Sequence, residues 1–122
     1  MAAFRVDPAG VVSVIVSSNS NGVALSPDEK KLYILEAGTW DLDPLGAPSN
    51  PGPIAPSGDG LAVDCAGDLY ASGTIYNAQG QRIGAYPSGS DLTFGGADGK
   101  TLFIVGTGTQ VQEVQMNLPG LP

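Results

Sequence analysis

Histidine is absent from the 122-residue chain and cysteine occurs once, at Cys65. Without histidine there is no Ser-His-Asp triad, no Cys-His dyad and no imidazole-based zinc site. Without a second cysteine no intrachain disulfide forms. Cys65, between Asp64 and Ala66 beside a turn, reads as a small filler rather than a nucleophile. Positive charge is also scarce: 5 Lys and Arg, scattered singly, stand against 12 Asp and Glu, for a net charge of −7. Nucleic acid and anionic membranes both select clustered cations, so no nucleic acid and no membrane partner is expected. No apolar run approaches membrane-spanning length. Met1-Ala-Ala-Phe-Arg-Val-Asp7 lacks the basic segment and long apolar core of a signal peptide, so the expectation is a soluble, cytoplasmic protein. No segment carries apolar residues at helical spacing over a helical length.

Repetition is what the chain does have. Asn21-Gly-Val-Ala-Leu-Ser-Pro-Asp-Glu-Lys-Lys-Leu-Tyr-Ile-Leu35 returns as Asp59-Gly-Leu-Ala-Val-Asp-Cys-Ala-Gly-Asp-Leu-Tyr-Ala71. It returns again as Asp91-Leu-Thr-Phe-Gly-Gly-Ala-Asp-Gly-Lys-Thr-Leu-Phe-Ile-Val105. Each copy is a polar head, a short alternating strand, an Asp/Gly turn and a second strand carrying Leu-Tyr or Leu-Phe. The heads are 38 and 32 residues apart, close to the period of a propeller blade. A unit that cannot bury its own apolar face stacks on its neighbours. The 18 Gly and 10 Pro punctuate many short strands, while an apolar share of 42% rules out a disordered chain. The fold class is therefore all-β and β-propeller-like, with about three blades in a single domain over 1–122. Propellers need roughly four to eight blades to close, so this half propeller is expected to be completed by oligomerisation.

The domain divides into an outer hairpin over 1–18, a blade over 19–58, a second over 59–90 and a third over 91–122. The hairpin pairs Phe4–Asp7 with Val11–Ser17 around Pro8-Ala9-Gly10. Residues 43–58 hold five prolines, which cannot donate ladder hydrogen bonds, and read as an irregular connector with at most edge-strand character. Trp40-Asp41-Leu42 is read as the remnant of an outer strand. Repeat two offers four strands, Gly60–Val63, Asp68–Ser72, Thr74–Asn77 and Gln81–Tyr86. Repeat three offers Leu92–Gly95, Thr101–Thr107 and Gln110–Asn117.

Taken in order, the Asn21-Gly, Asp59-Gly and Phe94-Gly-Gly repeats resemble the C-terminal half of the SMP-30/gluconolactonase/lactonase family. That resemblance implies a six-bladed β-propeller with a divalent metal, usually calcium, on its axis, and hydrolysis of sugar lactones and related cyclic esters. The family's Asn-Gly and Asp-Gly ligands match Asn21 and Asp59. Its glutamate ligand, from the first blade, has no counterpart here.

The residues support a site on their own terms. Asn21, Asp59 and Asp91 stand at the heads of the innermost strands and are expected to converge on one central spot. Calcium takes about six to eight oxygens, of which these three residues would supply part. Asp59 is the candidate catalytic residue, placed to accept a proton from a metal-bound water, and Asn21, Asp59 and Asp91 are the candidate metal ligands. The structural alternative is that Asn and Asp before Gly are ordinary strand-entry residues. Asp28, Asp68 and Asp98 read as hairpin-turn residues, and Asp64 as a turn former. Tyr33, Tyr70 and Phe103, at matching repeat positions, read as packing between blades. Trp40 anchors an interface or covers the connector. The leading function is metal-dependent hydrolysis of a lactone, with a small sugar-derived substrate. The alternative is a non-catalytic binding module on the same scaffold. In either case two chains are expected to pair as a homodimer, closing a six-bladed ring and bringing further carboxylates to the axis.

Overall fold

The structure is a computed structural model that describes residues 1–53, 56–106 and 108–121. Its described residues contain strands and turns and no helix. Thirteen strands run in chain order: β1 (Ala3–Val6), β2 (Val12–Val16), β3 (Val23–Leu25), β4 (Lys31–Ile34), β5 (Gly38–Leu42), β6 (Pro48–Ser49), β7 (Leu61–Val63), β8 (Leu69–Ala71), β9 (Thr74–Tyr76), β10 (Arg82–Ala85), β11 (Asp91–Gly95), β12 (Thr101–Val105) and β13 (Gln112–Gln115). They form four separate antiparallel meanders: a two-stranded β1-β2, a four-stranded β3-β4-β5-β6, a four-stranded β7-β8-β9-β10 and a three-stranded β11-β12-β13. The outermost strand of each sheet feeds the innermost strand of the next, which is how blades are wound.

One turn chemistry recurs. Asp7, Asp43, Asp64 and Asn77 each stand three residues before a glycine with φ of 81°, 73°, 88° and 78°. In each case the side-chain Oδ1 accepts N–H groups two and four residues on, for example Leu45 at 2.9 Å and Ala47 at 2.7 Å onto Asp43. The Asx head satisfies the turn's donors, and only glycine takes the left-handed step without strain. This corrects one part of the reading of residues 43–58, whose edge-strand character is borne out by Pro48–Ser49. Asp43-Pro-Leu-Gly46 is a hairpin turn with the same chemistry as Asp7-Pro-Ala-Gly10, and beyond it Pro48–Ser49 pairs with β5 as a two-residue edge strand. Trp40-Asp41-Leu42, read as a strand remnant, belongs to β5, a full third strand in which Trp40 lies opposite Leu32. Of the segments read from sequence, Ile54 and Ala55 of the connector, Thr107 at the end of the second strand of repeat three and Pro122 lie outside the described residues.

Packing between sheets follows the period of two. Ala24 and Tyr33 point forward from the first full blade onto Val63, Leu69 and Leu61 of the second. Tyr70, Ala62 and Ile75 point forward from the second onto Leu92, Leu102 and Ile104 of the third. Tyr70 sits at the centre, edge-on to Phe94 at 5.2 Å and tilted against Tyr86 at 5.8 Å. The tail crosses back: Cys65 N–H donates to Pro119 O, Leu121 N–H to Val63 O, and Gly120 bridges Asp64. Cys65 is exposed in its turn and fills nothing, against the sequence reading.

The Tyr86 hydroxyl is buried and has no hydrogen-bond partner among the described residues. An unpaired buried hydroxyl costs roughly 1–3 kcal/mol, and its removal leaves the ring packing intact. Tyr86→Phe is therefore expected to raise stability by about 1 kcal/mol. Urea denaturation checks this: a lower midpoint for the variant would show that the hydroxyl is satisfied in solution.

Candidate functional site

Two backbone hydrogen bonds tie the heads of the inner strands together. Gly22 N–H donates to Asp59 O at 2.8 Å, and Gly60 N–H donates to Ser90 O at 2.7 Å. The chain therefore passes very close to itself where successive blades meet the axis. A Cβ on Gly22 would stand 2.7 Å from Asp59 O and 2.9 Å from Leu61 Cβ. One on Gly60 would stand 2.7 Å from Asp91 Cα and collide with Asp91 Oδ1. Neither glycine has positive φ, so the Asn-Gly and Asp-Gly pairs are explained by close approach, not by turn conformation.

Asn21 and Asp59 meet directly. Asn21 Nδ2 donates to Asp59 Oδ1 at 2.7 Å, so two side chains 38 residues apart share one rim. With Gly22, Gly60, Ser90 and Asp91 they line an open cleft of about 460 Å³. Asp91 is in the cleft, but not in the position expected of it. Gly22 N–H bonds Asp59 O and Gly60 N–H bonds Ser90 O; Asn21 N–H bonds Leu35 O and Ser90 N–H bonds Val105 O. By this pattern Ser90 is the equivalent of Asn21 and Asp59, and Asp91 stands where the other repeats have glycine. Matching Leu32-Tyr-Ile-Leu35 to Leu102-Phe-Ile-Val105 and counting back across the hairpin would have found Ser90. Matching the first acidic residue shifts the register by one, which turns a side chain to the other face. Asp91 Oδ1 accepts Leu92 N–H at 2.8 Å.

Asp28, Asp68 and Asp98 stay in the hairpin turns. Asp28 accepts from Ser26 Oγ and Lys30 N–H, which hold its carboxyl below the usual carboxylate range. Asp98 is lowered chiefly by the N–H of Lys100. Asp68 is raised by partial burial and by the charge of Asp64. Tyr33 and Tyr70 are buried between blades, and Phe103 holds the same place on β12.

The donor chemistry of the cleft is oxygen only: one amide, two carboxylates and a hydroxyl. Such a set fits a hard cation such as calcium. Among the described residues, however, no three of His, Cys, Asp and Glu gather closely enough to hold a metal ion. The cleft thus offers part of a coordination shell.

No family model matches the chain. Among curated proteins, a gluconolactonase of Zymomonas mobilis is 30% identical over 83% of this chain, which spans 36% of that protein. Among solved structures, a gluconolactonase of Xanthomonas campestris superposes with a TM-score of 0.73 at 27% identity, over 98% of this chain and 44% of its own. A second protein assigned as a gluconolactonase superposes at 0.76 with 26% identity, covering 98% and 47%. A luciferin-regenerating enzyme reaches 0.76 at 20% identity, covering 98% and 53%, and speaks for the fold alone. The chain resembles gluconolactonase-type β-propellers, and spans about half the length of these solved relatives and about a third of the curated one.

Proposed function

We propose that this chain carries the cation-binding side of a lactone-hydrolysing site, with Asn21 and Asp59 as its oxygen donors and Ser90, which continues their row, beside them. The observation that carries the reading is the Asn21–Asp59 pair, joined across adjacent blades at the rim of one cleft. A divalent cation bound there would polarise an ester carbonyl and acidify a water. The chain's own residues do the rest. Asn21 offers its amide oxygen and, through Nδ2, fixes the carboxylate of Asp59. Asp59 is the group placed to take a proton from the attacking water. Small cyclic esters, sugar-derived lactones first among them, are the substrate class, since similar proteins in sequence and in structure are named gluconolactonases.

A second reading is favoured by a specific observation, the absence of any three-residue His/Cys/Asp/Glu group among the described residues. It makes the chain a binding module that retains the cleft and lacks the chemistry. The two part on a measurement. Calcium about a hundredfold above its Kd is expected to raise Tm by roughly 5–10 °C, because it binds the native state alone. Asp59→Ala should abolish that rise. Hydrolysis of gluconolactone should require the cation and fall at least about 100-fold in Asp59→Asn. A Tm unmoved by millimolar calcium, manganese or zinc removes the cation from the account. A calcium response without hydrolysis of lactones or aryl esters leaves the binding module.

A further inference from the structure

Asn21-Gly22 is the one Asn-Gly pair in the chain; the other four asparagines precede Ser, Pro, Ala and Leu. An asparagine before glycine carries a reaction with its own backbone, because glycine has no Cβ to crowd the approach of its nitrogen. The Gly22 nitrogen attacks Asn21 Cγ and an N–Cγ bond forms. The Cγ–Nδ2 bond breaks, and Nδ2 leaves as ammonia with the proton that the Gly22 nitrogen gives up. The product is a five-membered imide. Water adds to one of its two carbonyls and reopens the ring, which leaves aspartate or its β-linked isomer at position 21.

In the folded chain both reacting groups are tied to one residue of the neighbouring blade. The Gly22 N–H, which has to lose its proton, donates to Asp59 O at 2.8 Å. Asn21 Nδ2, the leaving group, donates to Asp59 Oδ1 at 2.7 Å. The backbone around them is paired as well: Asn21 N–H donates to Leu35 O at 3.3 Å, and Leu35 N–H to Gly22 O at 2.9 Å. Swinging the Gly22 nitrogen onto Asn21 Cγ rotates the peptide between the two residues and breaks its bond to Asp59 O. Room to rotate is short, since a Cβ on Gly22 would stand 2.9 Å from Leu61 Cβ and 3.0 Å from Leu61 N. Water is not what the site lacks, for Asn21 is half-buried on the rim of an open cleft. Hydrogen bonding, and not burial, is what restrains it.

We propose that Asn21 is a self-modification site that Asp59 holds unreactive, and that parting of the first two full blades at their heads releases it. A backbone N–H committed to an acceptor, and a carboxamide pinned by a charged one, do not reach the bent geometry that the imide needs. Opening the junction frees both at once, since one residue ties both. The change is one-way. Aspartate at position 21 has no N–H for Asp59 Oδ1 and sets a second carboxylate against it, so like charges oppose reclosing. The β-linked isomer adds one backbone atom between the N–H bonded to Leu35 and the N–H bonded to Asp59, and displaces both. Each opened chain is left with a mark, one carboxylate more at the cleft. Neither a cation nor a lactone enters this chemistry.

The test follows the 122-residue protein in chelator at mildly alkaline pH, with peptide mass spectrometry reading the exchange of amide for acid at Asn21. The native chain is expected to change at least about tenfold more slowly than the same chain in urea, where both hydrogen bonds are gone. Asp59 is exposed, so Asp59→Ala should keep its circular dichroism. Its native rate should rise at least about tenfold, as loss of a hydrogen bond to a charged acceptor requires. Gly10→Ala, strained in a turn away from the junction, should leave the native rate at Asn21 unchanged and so separates a local tie from general stability. A native chain that changes as fast as one in urea overturns the proposal. So does a folded Asp59→Ala at the wild-type rate, or a Gly10→Ala rate raised as far as that of Asp59→Ala.

Discussion

Replacing Asp64 with alanine is expected to cost about 3–5 kcal/mol of folding stability, because three hydrogen bonds to a buried carboxylate are lost together, each worth roughly 1.5–3 kcal/mol. Asp64 is completely buried. Its Oδ1 accepts Ala66 N–H at 2.9 Å and Asp68 N–H at 3.0 Å, and its Oδ2 accepts the Tyr70 hydroxyl at 3.0 Å. Alanine strands the Tyr70 donor in the packing between the second and third blades and unties the turn onto which the tail is bonded. Asparagine in its place would retain the turn, since Asn77 makes the same two bonds from its own Oδ1 at 3.1 and 2.9 Å. Asp64→Asn should therefore lose only about 1 kcal/mol. Urea melts of the two variants separate the cases; equal losses would show that the charge itself, and not the turn, is at stake. The network also has a pH signature. Burial first, then the charge and hydrogen bond of Asp64, push the Tyr70 hydroxyl well above its ordinary value of 10.0. A raised folded-state value means that this stabilisation is complete below about pH 10 and is lost as pH climbs beyond it. Alkaline melting should shift to lower pH in Asp64→Ala.

Gly60→Ala is the second large effect. The added Cβ would meet Asp91 Cα at 2.7 Å, Leu92 Cδ2 at 3.1 Å and Asp91 Oδ1 closer still. Two of these belong to one residue whose backbone continues into β11, so relief requires the third sheet to move. Overpacking of this kind costs about 1–3 kcal/mol, and a backbone obstacle places it at the upper end. The site should respond as well. Moving the head of β11 pulls Ser90 away from Gly60 N–H and opens the cleft, so the calcium-induced rise in Tm should shrink along with stability. Gly10→Ala is the contrast. Nothing lies within 4 Å of its added Cβ, and only its φ of +81° is penalised, for about 1 kcal/mol. If Gly60→Ala costs no more than Gly10→Ala, the close approach of the heads is relaxed in solution.

These two residues mark where the sequence was legible and where it was not. Asp64 read as a turn former because it follows an apolar strand, and the Asx turn is local physics. What could not be read was its third bond, to Tyr70 on the next strand, since that depends on how the hairpin twists. Gly60 read only as the first residue of the strand Gly60–Val63, behind a strand-entry aspartate. Its reason lies 31 positions away in Asp91, and no spacing rule connects them. The reading of residues 43–58 missed one turn, for a different reason. Five prolines outweighed a turn signal, Asp43-Pro-Leu-Gly46, that already stood in the chain at Asp7-Pro-Ala-Gly10.

By itself, then, the sequence determined the strands, their turns and their repetition, because alternation, Asx heads and left-handed glycines act within a few residues. It also determined that Asn21 and Asp59 head successive inner strands and that the chemistry available there is oxygen-donor chemistry without histidine. Only the tertiary structure decided that these two side chains bond each other and that Ser90 and not Asp91 continues their row. Those facts come from how sheets stack about an axis, where residues roughly 30 to 40 positions apart are brought together by packing between blades.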